Sequence, residues 1–313
     1  MHRRHFLAGL AGLAAAGAAD VLASRPRGRA EEAPPRTWLV IPGIAADRTP
    51  PHVTTSISRV YQGGALLVRV VPGMSGSATL FGRPYALEPA NDAIEGFVGV
   101  AVGDPPGPAL LAVTASTPLE TVSLSVALDI LATSWTVDYI VLPPGTGALL
   151  DPAIIQAEAN LLAAVYGQRT PRMWLDGWAS PVDPPLTPAI ISGYFGEQRS
   201  FNGGPPSGHH GGTDIGLPPG DPVRSTNRGT VVLARALAVR GNMVIVDHGG
   251  GTFSGYAHLD TIAVAEGELV GRGQLLGTVG TTGLSTGPHL HWELSVAGVL
   301  VDGLRWLDGT QGF

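Results

Sequence analysis

Glycine (44) and proline (27) hold more than one in five of the 313 positions. Both residues interrupt regular structure, so the chain is steered towards turns and short strands rather than long helices. Hydrophobic residues make up 44% against 14% charged, enough to bury a substantial core. The length suits one large domain or two ordinary ones. Cysteine is absent. That excludes an all-cysteine zinc site, a thiol nucleophile, a disulfide framework and a cysteine-linked lipid anchor, so any metal must be held by His and carboxylates. The net charge is −6 with no basic tract, which leaves no nucleic-acid footprint.

Arg3 and Arg4 open the chain ahead of an uncharged, Ala/Gly-rich run that ends at Ala19. A twin-arginine pair before a mild apolar stretch is similar to a Tat-type export signal. The stretch 6–19 falls short of the roughly 18 apolar residues that cross a bilayer. Residues 1–30 are therefore expected to be an export address, with a periplasmic or cell-envelope destination and no stable membrane span in the mature form.

Between about 36 and 142 the chain reads as strands separated by turn clusters, at 65–71, 96–102 and 120–128. In the last, Val122, Leu124, Val126 and Leu128 alternate with Thr121, Ser123 and Ser125, the period-two pattern of a half-buried strand. Several such runs predict a β-sandwich-like domain, with no catalytic constellation; its one histidine, His52, reads as a surface residue. Residues 143–180 form a short linking helix and a Pro-rich linker. Asp151 is suited to cap the helix, Pro152 to its first turn and Gly167 to its end, with an apolar stripe of Leu161, Leu162 and Val165. Trp174 and Trp178 are expected to pack the linker against a neighbour. Residues 181–308 are again strand-rich, at 230–234, 243–248, 275–279 and 289–295. The fold class is thus mainly β.

Six of the nine histidines fall between 209 and 291. His210 and Asp214 are separated by a Gly-Gly-Thr turn that lets an imidazole and a carboxylate converge. His289 and His291 sit at i and i+2 of a strand pattern, on one face and roughly 6.6–7 Å apart, with Leu290 and Trp292 facing apolar packing. Tyr256 and His258 are expected to share a face in the same way. A catalytic zinc site takes three protein ligands and leaves a position open, so four His and one Asp would leave imidazoles over for proton transfer. Spacing alone does not say which histidine does which.

The stretch from Gly193 to Glu293 resembles the lysostaphin-like (LytM-like) zinc metallopeptidases of peptidoglycan. The resemblance rests on residues 194–199, on His210-x-x-x-Asp214, on residues 241–249, on Tyr256-x-His258, and on Ser285, Thr286, Gly287 and Pro288 leading into His289-x-His291. It implies Zn2+ held by His210, Asp214 and His291, with His258 and His289 as non-ligand catalytic histidines. It also implies an endopeptidase acting on stem peptides and cross-links of the wall. Residues 266–277 resemble turns of lipoyl/biotinyl-type barrels, an architecture the family shares; a carrier role fails because the chain has no lysine. His209 is expected beside the site without a role, His248 as a structural hydrogen-bonding residue, and Arg199 and Asn202 as candidates for substrate contact. Two other readings compete. Two His and one carboxylate also bind non-haem iron, but that form places the carboxylate two residues after the first His. A catalytically silent wall-binding or amidase-activating module would usually lack part of the histidine set. The bond cut, the oligomeric state and the job of the N-terminal domain stay open at this level.

Overall fold

Alternation of small, β-branched and turn residues gives twenty-one short strands among the described residues, which are 50–117, 119–174, 177–183 and 186–313 of a computed structural model. The export-signal reading at 1–30 lies outside them. Strands β1 (His52–Thr55), β2 (Arg59–Tyr61), β3 (Ala65–Val71), β4 (Ser75–Leu80), β5 (Arg83–Ala90), β6 (Ala93–Gly99), β7 (Gly107–Ser116) and β8 (Thr121–Leu131) build one sheet in the order β1-β3-β6-β5-β4-β7-β8-β2. β5 is the corner of this sheet: residues 83–87 pair with β4 and residues 88–90 with β6. The sheet thereby folds over a single core of Val68, Val70, Leu80, Leu111, Val113 and Ile130. In β8 the expected alternation holds, with Val122, Leu124 and Val126 turned towards that core.

After β9 (Val137–Ile140), the helix α1 (Pro152–Tyr166) begins as its sequence signals require. The Asp151 carboxylate accepts a 2.7 Å hydrogen bond from the Ala153 N–H, Pro152 fills the first turn and Gly167 follows the last. Asp151→Ala should therefore lower stability by about 1 kcal/mol, read as a shift of the urea midpoint at constant slope. Leu162 and Val165 bury against Leu233, Met243, Ile245 and Phe253.

The remaining strands are β10 (Ile191–Gly193), β11 (Gln198–Phe201), β12 (Ser207–His209), β13 (Thr213–Ile215), β14 (Pro222–Arg224), β15 (Gly229–Ala236), β16 (Asn242–Gly249), β17 (Thr252–Ile262), β18 (Leu269–Val270), β19 (Leu275–Val279), β20 (Leu290–Val296) and β21 (Val299–Val301), followed by the five-residue helix α2 (Gly303–Leu307). Ten of them form a second sheet with the path β10-β13-β20-β17-β16-β15-β18; β14 and β19 attach through β17, and β21 through β20. Its inner face buries Val244, Val246, Tyr256, Leu290 and Trp292. β9 pairs in parallel with β11, so a segment sixty residues upstream becomes part of a three-stranded sheet with β11 and β12.

From residue 50 onward the described residues form one compact unit. Leu294, Val296, Val299, Val301 and Trp306 join the core of the first sheet. Trp174, Trp178, Trp306, Phe97 and Phe313 contact one another with ring centroids 4.7 to 5.5 Å apart. The linker tryptophans thus do pack against neighbours, on both sheets. Among the described residues no helix is long and apolar enough to cross a membrane.

Candidate metal centre and active site

The two strands that carry the motif residues lie side by side. In the antiparallel pair β13–β20, Asp214 is the direct cross-strand partner of His291, which brings their side chains together on one face. His210 precedes β13, and the intervening backbone passes close against β20: a Cβ at Gly212 would lie 2.4 Å from the Trp292 carbonyl oxygen. That approach explains the glycine better than a need for bending. The result is a tight triangle. His210 Nε2 lies 2.9 Å from His291 Nδ1 and 3.0 Å from Asp214 Oδ1, and His291 Nδ1 lies 2.8 Å from Asp214 Oδ1.

The outer partners decide what these atoms carry. His210 Nδ1 is 2.9 Å from the Tyr194 carbonyl oxygen, an acceptor only, so it holds the proton and leaves Nε2 bare. His291 Nε2 donates to Glu293 Oε1 at 3.0 Å, which makes Nδ1 the nitrogen that faces the triangle. Arg199 Nη2 donates to Asp214 Oδ2 at 2.7 Å and turns Oδ1 inward. With His291 neutral, three lone pairs would face one another in a buried place. One proton relieves only one such contact, whereas a cation bonded to all three relieves every one. The three residues can together hold a metal ion, and each ligand is oriented by a partner behind it, as in known metal sites.

The electrostatics follow the same geometry. Burial opposes charge on His291, yet its hydrogen bonds with Asp214 and Glu293 push its pKa up to about 8, so near neutrality the ring carries a second proton at Nδ1, the one that a bound cation would replace. Burial would raise Asp214, but His210 and His291 hold its carboxyl well below the usual range. Burial pushes His210 down, so this ring is kept neutral.

Two further imidazoles flank the triangle. His289 Nδ1 donates to the Gly287 carbonyl at 2.8 Å, and its Nε2 stands 3.7 Å from Asp214 Oδ1. His258 Nδ1 donates to the Thr282 carbonyl at 2.7 Å. The two rings lie 4.7 Å apart, and each keeps a bare Nε2. Burial, then the neighbouring His291 and His289, pushes His258 down to about 3. All five expected residues therefore line one cleft of about 540 Å³.

One expectation needs correction. Tyr256 and His258 do not share a face. Tyr256 is in the core with its hydroxyl accepting from the Thr226 N–H at 2.8 Å, while His258 adopts φ of 59° beside a register shift in β17 and swings into the cleft. Simple alternation fails at that left-handed residue. Arg199 lines the cleft, held there by Asp214 and Asp138. Asn202 accepts the Leu142 N–H at 2.9 Å and so serves the backbone. His248 is structural as expected, buried between the Arg228 carbonyl and Ser254 Oγ. His209 lines the cleft with Nδ1 on the Gly196 carbonyl and its ring edge-on to Trp135.

Glu293, Tyr166, Arg240 and Asp138 were not singled out from the sequence. For Glu293 the signal was available: it continues the i, i+2 series of His289 and His291 into β20. The others meet the site only through long-range packing. The segment 138–142 supplies one wall of the cleft, where Tyr139 and Val141 are 72% and 79% exposed.

Comparison with known proteins places this geometry. Residues 208–303 match the description Peptidase family M23. The peptidoglycan DD-endopeptidase ShyA of Vibrio cholerae is 44% identical over 96 residues, 31% of this chain and 22% of the relative. Lipoprotein NlpD of Yersinia enterocolitica is 41% identical over 95 residues, 30% of this chain and 97% of that one. A solved Pseudomonas aeruginosa structure described as a peptidase M23 is 26% identical, with a TM-score of 0.58, covering 79% of this chain and 94% of its own. The chain spans about a fifth of the length of the first curated relatives it matches. With the five-residue constellation in place and one relative matched over nearly all its length, the chain belongs to peptidase family M23.

Proposed function

We propose that the protein is a zinc-dependent endopeptidase that hydrolyses peptide cross-links of bacterial peptidoglycan. The observation that carries this reading is the convergence of three ligand atoms, on His210, Asp214 and His291, beside the two bare imidazole nitrogens of His258 and His289. Two nitrogens and one carboxylate oxygen form a donor set typical of catalytic zinc, which leaves further positions open. When bound, zinc would act as a Lewis acid, polarising a scissile carbonyl and lowering the pKa of water from about 15.7 towards about 7.

The chain's own groups then handle the protons. His258 and His289 are neutral rings anchored at Nδ1, so each Nε2 is free to accept a proton. One of the two takes the proton of the attacking water as its oxygen bonds to the carbonyl carbon. The pair returns a proton to the amide nitrogen as the C–N bond breaks, so an amine and a carboxylic acid leave. Arg199, held between Asp138 and Asp214, keeps the carboxylate aimed inward. Arg199→Ala is expected to weaken zinc binding by roughly 10- to 100-fold, measured by competition with a chromophoric chelator.

The relatives named as DD-endopeptidases favour a D-Ala–diaminopimelate cross-link as the bond cut. Export through a Tat-type signal at 1–30 to the periplasm or envelope belongs to the same proposal, as does the division into an N-terminal β-domain (36–142), a linker (143–180) and the peptidase (181–308). Purified peptidoglycan incubated with the zinc-loaded chain should release new amino termini, and mass spectrometry of the digested muropeptides should show cleaved cross-links. Zinc uptake with no release would instead favour a silent wall-binding or amidase-activating module.

A further inference from the structure

Helix α1 lies outside the stretch matched to the family, yet two of its side chains reach the layer behind the triad. Tyr166 Oη donates to Glu293 Oε2 at 2.6 Å, while Glu293 Oε1 accepts from His291 Nε2 at 3.0 Å and from Arg240 Nε at 2.8 Å. Earlier on the same helix, Glu158 accepts from the Val239 N–H at 2.7 Å, from the Arg240 N–H at 3.0 Å and from Arg240 Nη1 at 3.2 Å. Arg240 is thus clamped between a carboxylate of the helix and the carboxylate that orients His291. Glu158, Tyr166 and Glu293 are all buried.

Packing alone does not require this arrangement. An apolar ring at 166 would fill the same space against Phe253, whose centroid lies 5.8 Å away. Buried charges are costly unless paired and fully hydrogen-bonded, so a helix used only as a cover would do better without Glu158. The facing strand also makes room for the hydroxyl. A Cβ at Gly255 would lie 2.6 Å from Tyr166 Oη, 2.9 Å from Met243 Cε and 3.4 Å from Glu293 Cβ. The backbone at Gly255 does not need a left-handed conformation; the glycine gives clearance to the Tyr166 hydroxyl and to Met243. Two carboxylates and one guanidinium leave a net negative charge behind the triad, which favours a cation in front of it.

We propose that Tyr166 and Glu158 are positioning residues for the metal centre, fixing Glu293 and Arg240 so that the His291 ring presents Nδ1 to the triad. This rests on the reading of His210, Asp214 and His291 as a zinc site. The linking helix thereby becomes a working part of the centre through these two polar side chains.

The test uses the full chain with Zn2+ and Co2+ as probes. Tyr166→Phe removes one oxygen and keeps the ring. Its zinc dissociation constant, from chelator competition, should rise roughly 10- to 100-fold, and the visible absorption bands of the Co2+ form should shift as His291 reorients. Gly255→Ala should do the same by displacing the hydroxyl, and Glu158→Gln should change both readouts in the same direction. Phe253→Leu loosens the same helix–sheet contact without touching a polar group and should leave both readouts unchanged. Zinc affinity in Tyr166→Phe within about twofold of the unsubstituted chain, with unshifted Co2+ bands, would overturn the proposal; so would an equal loss in Phe253→Leu. If the unsubstituted chain takes up neither ion, the zinc reading itself falls, an outcome distinct from failure of the positioning role.

Discussion

Replacing His258 should abolish hydrolysis while leaving zinc in place, and replacing His291 should remove both. The two rings belong to one cluster, with centroids 5.8 Å apart, so the contrast depends on where their free nitrogens point rather than on distance. His291 gives Nδ1 to the triangle; His258 is tied at Nδ1 to the Thr282 carbonyl and stays outside it. Loss of a general acid or base costs about 10²- to 10⁴-fold in rate, and loss of one of three ligands costs most of the metal affinity. Asparagine is the better replacement at 258, because the position has φ of 59° and Asn tolerates the left-handed region. Glutamine at 291 keeps a polar group against Glu293 and avoids leaving that carboxylate short of a partner. The measurements are zinc per chain after dialysis and new amino termini released from purified peptidoglycan. A His258→Asn protein that still cleaves at an undiminished rate would remove the proton-transfer role from this ring. A His291→Gln protein that retains stoichiometric zinc would remove the ligand role.

Local chemistry made much of this architecture readable before any coordinates. The strands predicted at 65–71 and 275–279 have those bounds, and the Asp151, Pro152 and Gly167 signals delimit α1 as expected. The pairing of His289 with His291 on one face followed from strand geometry alone. What local patterns could not carry is contact between distant segments. Nothing in the string around Val137 announces a parallel pairing with Gln198 sixty residues later. Nor does the polar Glu158 on an otherwise amphipathic helix announce that it will sit against Arg240; by pattern it belongs to a solvated face. The error at His258 has the same origin. Period-two alternation placed it beside Tyr256, and a single left-handed residue with a register shift sent the two side chains to opposite sides. Arg199 was read by its proximity in sequence to the first ligand, whereas its position on β11 aims it at Asp214. The site residues were therefore legible as a set, and the groups that orient them were not, because those come from elements far apart in the chain.

Acid should destabilise the fold through His248, well away from the catalytic cleft. This ring is buried with Nδ1 2.8 Å from the Arg228 carbonyl, Nε2 2.7 Å from Ser254 Oγ and its face against the Trp178 edge. No carboxylate is among these partners, and the Arg228 carbonyl offsets only part of the cost of charging it, so burial pushes its pKa down to about 4. In the unfolded chain the value returns to about 6.5. Above that pH neither state is protonated and the residue is neutral in its effect. Between the two values the unfolded chain binds a proton that the folded chain refuses, so stability falls as pH drops, by about 3 kcal/mol over the whole window. His248→Gln removes the titration and keeps a side chain that can hydrogen-bond. Urea unfolding of both proteins, with chelator present so that metal release does not contribute, isolates the effect. Between about pH 7.5 and about pH 5 the unsubstituted chain should lose about 2 kcal/mol more than the variant. His258 and His210 are also pushed down and act in the same direction, whereas His291, raised to about 8, contributes stability at low pH that is lost as pH rises through that value. All three are present in both proteins and lie in the cleft, so they drop out of the difference. Parallel stability curves for the two chains across this range would mean that His248 accepts its proton in the folded state, and that the closed polar pocket around it opens more readily than its burial implies.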